Sequence, residues 1–228
     1  GRNGERILVD CGHNSSTGWR PSQYLPRTPL DLLIITNYDQ DHLSDFVDIQ
    51  RLIGFNRLCR NFTLSPEALY RLKVQQDPLT SAMNAFISSI NGMGGPTPTP
   101  LSSVDWAAFY IPFPPDPTET NAYSVATFIE GDGINIVFPG DLAVAGWRSL
   151  LLREDFRQRL ARVNIFVASH HGRENGYCSE VFRHCQPNVV IVSDDSIQYD
   201  TQRGVDYGQH AKGHFIAGEI RKTLTTRC

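Results

Sequence analysis

Residues Leu30 to Ile49, LDLLIITNYDQDHLSDFVDI, decide the fold. The stretch opens on an apolar run, Leu32 to Ile35, β-branched at its end and short enough for a buried strand. The run stops at Thr36, and Asn37, Tyr38, Asp39, Gln40, Asp41 and His42 follow. Then the period changes: Leu43, Phe46, Val47, Ile49 and Ile53 recur at helical spacing. The polar cluster therefore falls on a strand-to-helix turn, at the carboxyl end of a strand, the edge where open α/β proteins place their ligands. Asp oxygens and a neutral His nitrogen are ligands for a divalent cation, and a turn lets alternating side chains converge on one point. A solvated loop with an acidic helix cap is the plainer alternative.

Working outward, the 228 residues suit one sizeable domain, and 40% hydrophobic content supplies a core. The net charge of -3 gives no basic footprint of the kind that dominates nucleic-acid affinity. Arginine outnumbers lysine, whose members are Lys73, Lys212 and Lys222, which suits directed anion contacts. Cys11, Cys59, Cys178, Cys185 and Cys228 are odd in number and scattered, with no C-x-x-C pair. A reducing, cytoplasmic compartment is the simpler reading. No apolar stretch approaches the roughly 20 residues of a membrane span. The chain begins at Gly1 without Met, directly on a strand, so it reads as a fragment of a longer protein.

In chain order, Arg6 to Asp10 predicts a strand followed by a Gly/Asn/Ser loop. Arg57 to Phe62 predicts a short strand. Ser65-Pro66 opens a helix with a serine cap and proline at the first position. Ala82 to Ile90 predicts a second helix. Gly92 to Pro117 holds half of the 14 prolines and reads as an irregular insertion, a lid or a loop flanking substrate. Tyr123 to Ile129 and Ile134 to Phe138 predict a hairpin about Gly131-Asp132-Gly133. Trp147 to Ala161 reads as an Arg-rich amphipathic helix, Val163 to Val167 as a strand, and Ser179 to His184 as a short helix. Asn188 to Val192 predicts another strand and Ala217 to Leu224 a terminal helix.

One chemistry recurs at the ends of these strands: Asp10/His13, Asp39/Asp41/His42, Asp141, His170/His171 and Asp194/Asp195. One or two such ends are cheap, because Asp and His are common in loops. Five argue for a site. Asp141 after Pro-Gly equally fits an ordinary turn. His170-His171 precedes Gly172, where the backbone can crowd a ligand.

Asp10-Cys11-Gly12, Thr36 to His42, Pro139-Gly140-Asp141 and Ser169-His170-His171-Gly172 occur in the order of the metallo-β-lactamase fold. They are most similar to its competence-related, ComEC-like branch. Asn121-Ala122-Tyr123-Ser124 and Tyr207-Gly208-Gln209-His210 resemble two further elements of that branch, the second shifted by one residue. The resemblance implies an α/β (α+β) fold, an αββα sandwich of two mixed sheets flanked by helices. The first strand of that fold is missing, and Leu224 to Arg227 resembles the start of a final strand. It also implies a metal site of Asp41, His42 and His170, with Asp141 as a bridging carboxylate. A second site would need Asp39, Asp141 and a histidine where this chain has Asn37. Asn121 stands where many relatives have a further histidine. An amide in place of an imidazole favours harder ions, so one or two ions of Zn, Mn or Mg are implied.

The chemistry implied is metal-assisted hydrolysis of a phosphodiester, with a nucleic acid or nucleotide as substrate. Asp41 or Asp141 would orient the water, and His171, Tyr207 or His210 would donate a proton or grip a phosphate oxygen. A hydrolase of a small ester, lactone or thioester, or an impaired interaction module, remains the alternative. Fused domains or a protein partner are expected. The helix arginines Arg148, Arg153, Arg157, Arg159 and Arg162 read as a solvated or partner-facing surface, and His184 and His214 as surface residues.

Overall fold

A computed structural model describes residues 3–76, 78–93, 100–112, 120–193, 200–212, 216–217 and 220–221. The chain divides into two compact units, Gly1–Ser103 with Pro112–Tyr123, and Val104–Ile111 with Ser124–Cys228.

The first unit is built on a three-stranded parallel sheet in the order β1 (Ile7–Val9), β2 (Leu32–Ile34), β3 (Leu58–Cys59). All three residues of β2 are buried, as a strand inside a parallel sheet requires, which is why it reads as a continuous apolar run. Its helices are α1 (Pro21–Tyr24), α2 (Gln40–Leu43), α3 (Phe46–Asp48), α4 (Pro66–Gln76) and α5 (Ser81–Ile90). After α3 the chain makes a π-helical turn, Ile49–Ile53, closed by the left-handed Gly54. The predicted helical stripe is buried at Leu43, Phe46, Ile49 and Ile53, packed with Phe86 and Tyr123, whereas Val47 faces out. The Ser65 hydroxyl accepts from the Ala68 N–H at the start of α4, and Thr80 caps α5 by accepting from the Met83 N–H.

The second unit carries a five-stranded mixed sheet in the order β4 (Asp105–Phe109), β5 (Ala126–Gly131), β6 (Ile134–Phe138), β7 (Ile165–Val167), β8 (Val189–Ile191). β4, β5 and β6 run antiparallel, and β6, β7 and β8 parallel. The β5–β6 turn uses Asp132 and Gly133, both with positive φ, the left-handed pair a two-residue hairpin demands. Phe109, Phe128, Trp147, Phe156 and Phe166 fill the core, with neighbouring ring centroids 5.2–6.2 Å apart.

Several sequence expectations need correction. The first sheet is parallel rather than mixed. The irregular insertion Gly92 to Pro117 contains β4, which pairs with β5 over its whole length; residues 94–99 and 113–119 lie outside the described residues. The helix expected over Trp147 to Ala161 is two, α6 (Val144–Leu151) and α7 (Glu154–Leu160). Leu150 and Phe156 both enter the core six residues apart, a spacing that one helix cannot put on one face, and Arg153 between them is extended. The strand expected from Tyr123 starts at Ala126, after a 3-10 turn over Thr120–Tyr123, and the one expected over Arg57 to Phe62 is only β3. Ser179–Arg183 is likewise a 3-10 turn. Of the terminal helix expected over Ala217 to Leu224, the described residues fall in two short antiparallel strands, β9 (Ile216–Ala217) and β10 (Ile220–Arg221), and the rest lies outside the described residues. α8 (Gly204–Gly208) precedes them. Asp194, Asp195 and His214 lie outside the described residues.

Cys11, Cys59, Cys178 and Cys185 are free thiols and buried. Burial pushes Cys11 well above the ordinary thiol range, Cys178 to about 11, and Cys59 and Cys185 to about 12. The thiolate is the reactive form. Iodoacetamide at pH 8 is therefore expected to leave these four unmodified in native protein and to alkylate all four in urea. Peptide mass mapping reads the result, and labelling of Cys59 or Cys185 under native conditions contradicts the packing described.

Candidate metal centre

In the first unit the chemistry gathers where β1 and β2 end. Asp10 closes β1 in the left-handed region, with φ 58°. One of its oxygens accepts the Thr36 N–H at 2.7 Å; the other accepts the Thr36 hydroxyl at 2.6 Å and lies 2.9 Å from His42 Nδ1. A carboxylate only accepts here, so the His42 proton sits on Nδ1 and the lone pair is left on Nε2. This carboxylate–imidazole pairing is the arrangement that orients a metal-binding histidine. Asp41 and His42 are held in place by the Cys11 N–H, which donates to the His42 carbonyl at 2.8 Å, and by the Asp45 N–H, which donates to the Cys11 carbonyl at 2.8 Å. Gly12 lies so close to this turn that a Cβ built on it would stand 1.6 Å from the Asp41 carbonyl oxygen. Asp41 is exposed in the first turn of α2, while His42 is buried.

Asn37 and Asp39 are engaged differently. The Asn37 Oδ1 accepts the Asp39 N–H at 3.0 Å, and its Nδ2 donates to Asn121 Oδ1 at 2.9 Å. Asp39 Oδ1 pairs with the ammonium of Lys73, from α4.

In the second unit Pro139-Gly140 follows β6, and Gly140, at φ 58°, turns the chain so that Asp141 is buried. β7 ends on Ser169 to Gly172, where His170 and His171 both adopt left-handed conformations, φ 48° and 55°. Two such residues in succession cost of order 1–3 kcal/mol each, and the surroundings must hold them. The His170 N–H donates to the Gly140 carbonyl at 3.0 Å, and the Ser169 hydroxyl donates to the Leu142 carbonyl at 2.7 Å. Gly172 packs with no room for a side chain, since a Cβ would meet Val192 at 2.8 Å. The two imidazoles straddle Asp141: His171 Nε2 is 3.7 Å from Oδ1, and His170 Nε2 is 3.9 Å from Oδ2. These separations exceed a hydrogen bond. Two donors each about 2.1 Å from one ion stand about 3.4 Å apart at the tetrahedral angle, so the spacing suits a shared cation.

The two histidines differ in what fixes them. His171 Nδ1 lies 2.8 Å from the Ser193 carbonyl, which only accepts, so the proton is on Nδ1 and Nε2 holds the lone pair. Among the described residues, His170 Nδ1 is buried with no hydrogen-bond partner. His171, expected from sequence to handle protons, is thus the imidazole with an anchored Nδ1, and His170, expected as the ligand, shows no such anchor among the described residues.

Tyr207 and His210 do not join these groups. Tyr207 is buried in the core of the second unit, its hydroxyl donating to the Gly176 carbonyl at 2.9 Å, and burial raises it far above the usual phenol range. His210 stacks on Phe182 with ring centroids 3.9 Å apart, its Nε2 hydrogen-bonded to the Tyr177 hydroxyl at 2.8 Å, and burial lowers its pKa. Both are held by packing and hydrogen bonds within the second unit. The helix arginines are committed too. Arg148 pairs with Glu180, Arg153 with Asp155, and Arg159 and Arg162 with Glu130; Arg157 donates to the Leu151 carbonyl. Exposed His184 agrees with its surface reading. Sequence reasoning missed the part Asp10 plays in orienting His42, although its strand-end position marked it, and missed Lys73 altogether.

No family model matches the chain. It is 23% identical over 208 residues to ComE operon protein 3 of Bacillus subtilis, an alignment covering 82% of this chain. The matched region spans 25% of that protein's length. Among solved structures, a metallo-β-lactamase superfamily protein of Thermotoga maritima aligns over 97% of this chain and 89% of its own, at 11% identity and a TM-score of 0.46. Zn(2+)-bound PqqB from Methylobacterium extorquens aligns over 73% of this chain and 57% of its own, at 15% identity and a TM-score of 0.41. Among the described residues the fold is α/β, with sheets of three and five strands and flanking helices. Among the described residues no helix is long and apolar enough to cross a membrane.

Proposed function

We propose that this chain is a metal-dependent phosphodiesterase whose divalent ion is held in the second unit by Asp141 and His171, with Asp41 and His42 of the first unit offered as further ligands by the strand-end motifs. Each of these side chains has a ligand atom to give, a carboxylate oxygen or an imidazole nitrogen. The observation that carries the reading is the pair of imidazole nitrogens set 3.7 and 3.9 Å from the oxygens of Asp141, one with its tautomer locked by Ser193. Two carboxylates with two neutral imidazoles make a mixed donor set that suits Zn or Mn. When bound, such an ion supplies Lewis acidity toward a phosphoryl oxygen and toward water.

The chain's own residues divide the remaining tasks. Asp10 keeps His42 in the tautomer that presents Nε2. Ser193 does the same for His171. His170, beside Asp141 and with no anchor at Nδ1 among the described residues, is the imidazole suited to passing a proton to the leaving oxygen. A nucleotide or nucleic acid is the substrate class this chemistry serves, and the strand-end motifs shared with the competence-related branch support it. Since the chain spans a quarter of its curated relative, further domains or a protein partner belong to the proposal. The paired arginines of α6 and α7 leave that surface unsuited to tracking a phosphate backbone.

The test is hydrolysis of bis-p-nitrophenyl phosphate and of single-stranded DNA with Zn, Mn or Mg, with p-nitrophenyl acetate as the ester comparison. Cleavage of the phosphodiesters that EDTA removes and Mn or Zn restores is expected. Metal-restored cleavage of the acetate alone would move the chain to the ester hydrolases, and no cleavage of any substrate would contradict an enzymatic role. Asp10→Asn is expected to weaken metal affinity about 10–100-fold, because the amide no longer fixes the His42 proton. Competition with a chromogenic chelator measures it, and unchanged affinity would remove Asp10 from the account.

A further inference from the structure

We infer that the chain binds one ion rather than two, and that the ammonium of Lys73 occupies the charge position of a second ion; the inference rests on the metal site proposed above. A second ion would need Asn37 and Asp39. The structure gives both to other partners. The Asp39 N–H can only donate, so the atom of Asn37 facing it at 3.0 Å is Oδ1. That leaves Nδ2, which has no lone pair for a metal, pointing at Asn121 Oδ1 at 2.9 Å. The two positions that the family resemblance fills with histidine are thus a hydrogen-bonded pair of amides, and Asn37 is fully buried. Turning either amide to offer a metal its oxygen would break that pair inside the protein, which is expensive.

The carboxylate is likewise taken. Lys73 projects from α4, and its side chain is only 12% exposed when its ammonium meets Asp39 Oδ1. The salt bridge joins residues 34 positions apart, so it is a tertiary contact and not a chance pairing along one helix. A fixed cation on this oxygen neutralises the charge that would attract a divalent ion and repels the ion itself. The residues present therefore do not fit a second metal. They fit a carboxylate held by an internal ammonium, two residues from Asp41. Lys73 is a positioning residue: it fixes Asp39 at the start of the α2 turn.

Metal per chain, counted by native mass spectrometry and elemental analysis with Zn and with Mn, tests this without reference to activity. Wild type is expected to bind one ion. The Asn37→His/Asn121→His/Lys73→Met protein, with circular dichroism confirming its fold, is expected to bind two. Should that triple variant fail to fold, Lys73→Met alone carries the test: the thioether side chain keeps the packing of the stem and removes the charge. It is expected to take up a further Mn at least about tenfold more tightly than wild type does. Two ions on wild type would overturn the inference while leaving the proposed metal site standing. A folded triple variant that still binds one ion, or a Lys73→Met protein indistinguishable from wild type, would also overturn it. No ion on wild type would overturn the metal site itself, and this inference with it.

Discussion

Asp141→Ala is expected to yield protein that carries no ion and has lost at least about 100-fold in phosphodiester hydrolysis, the level of the EDTA-treated wild type. The size of the effect follows from where the carboxylate sits. Asp141 is buried, its position fixed by left-handed Gly140, and it is the group both imidazole nitrogens approach. Neither His170 nor His171 can replace the negative charge. Asp141→Asn keeps the shape and removes the charge, so it separates the two causes: equal loss of metal in both variants assigns the effect to charge. Elemental analysis and a melting curve with and without added Zn read the outcome. Full metal content in Asp141→Ala would show that the ligand assignment is wrong.

Gly12→Ala is expected to be the most damaging small substitution on the surface of the first unit. The added methyl would stand 1.6 Å from the Asp41 carbonyl oxygen and 2.7 Å from its carbon. Backbone cannot yield as a side-chain tip does, so the loop after β1 or the start of α2 must move. Overpacking of this kind costs 1–3 kcal/mol in ordinary cores, and a clash with main chain belongs at or above the upper end, about 3 kcal/mol. The same shift would carry Asp41 and His42 away from their positions, because the Cys11 N–H holds the His42 carbonyl. The denaturation midpoint and metal affinity are expected to fall together. A change in stability within about 0.5 kcal/mol would mean that the close approach of these backbones is not as described.

What was legible in the sequence had local causes. The buried strand β2 and the turn after it were written in the switch from an unbroken apolar run to helical spacing, and the structure buries Leu43, Phe46, Ile49 and Ile53 accordingly. The hairpin at Asp132-Gly133 was legible because only a left-handed pair closes a two-residue loop. The strand-end clusters were legible as chemistry. Their division of labour was not. Which of His170 and His171 is anchored depends on the Ser193 carbonyl, 22 residues from His171, and a backbone carbonyl leaves no trace in side-chain pattern. The Lys73–Asp39 pair spans two elements brought together only by folding. Strand β4 was hidden by the prolines on either side of it, and the break between α6 and α7 by helical propensity on both sides of Arg153. The surroundings of Tyr207 and His210 were not legible, because a Tyr-Gly-x-His motif says nothing of burial; tertiary packing put both among aromatic rings.

An anomalous-difference map collected at the zinc absorption edge, from crystals grown with zinc, tests the central claim most directly. The account predicts a peak ligated by Asp141 and His171, with Zn–N of about 2.0–2.1 Å through Nε2 and Zn–O of about 2.0–2.2 Å. A peak bound by other residues, or none at saturating zinc, would contradict it.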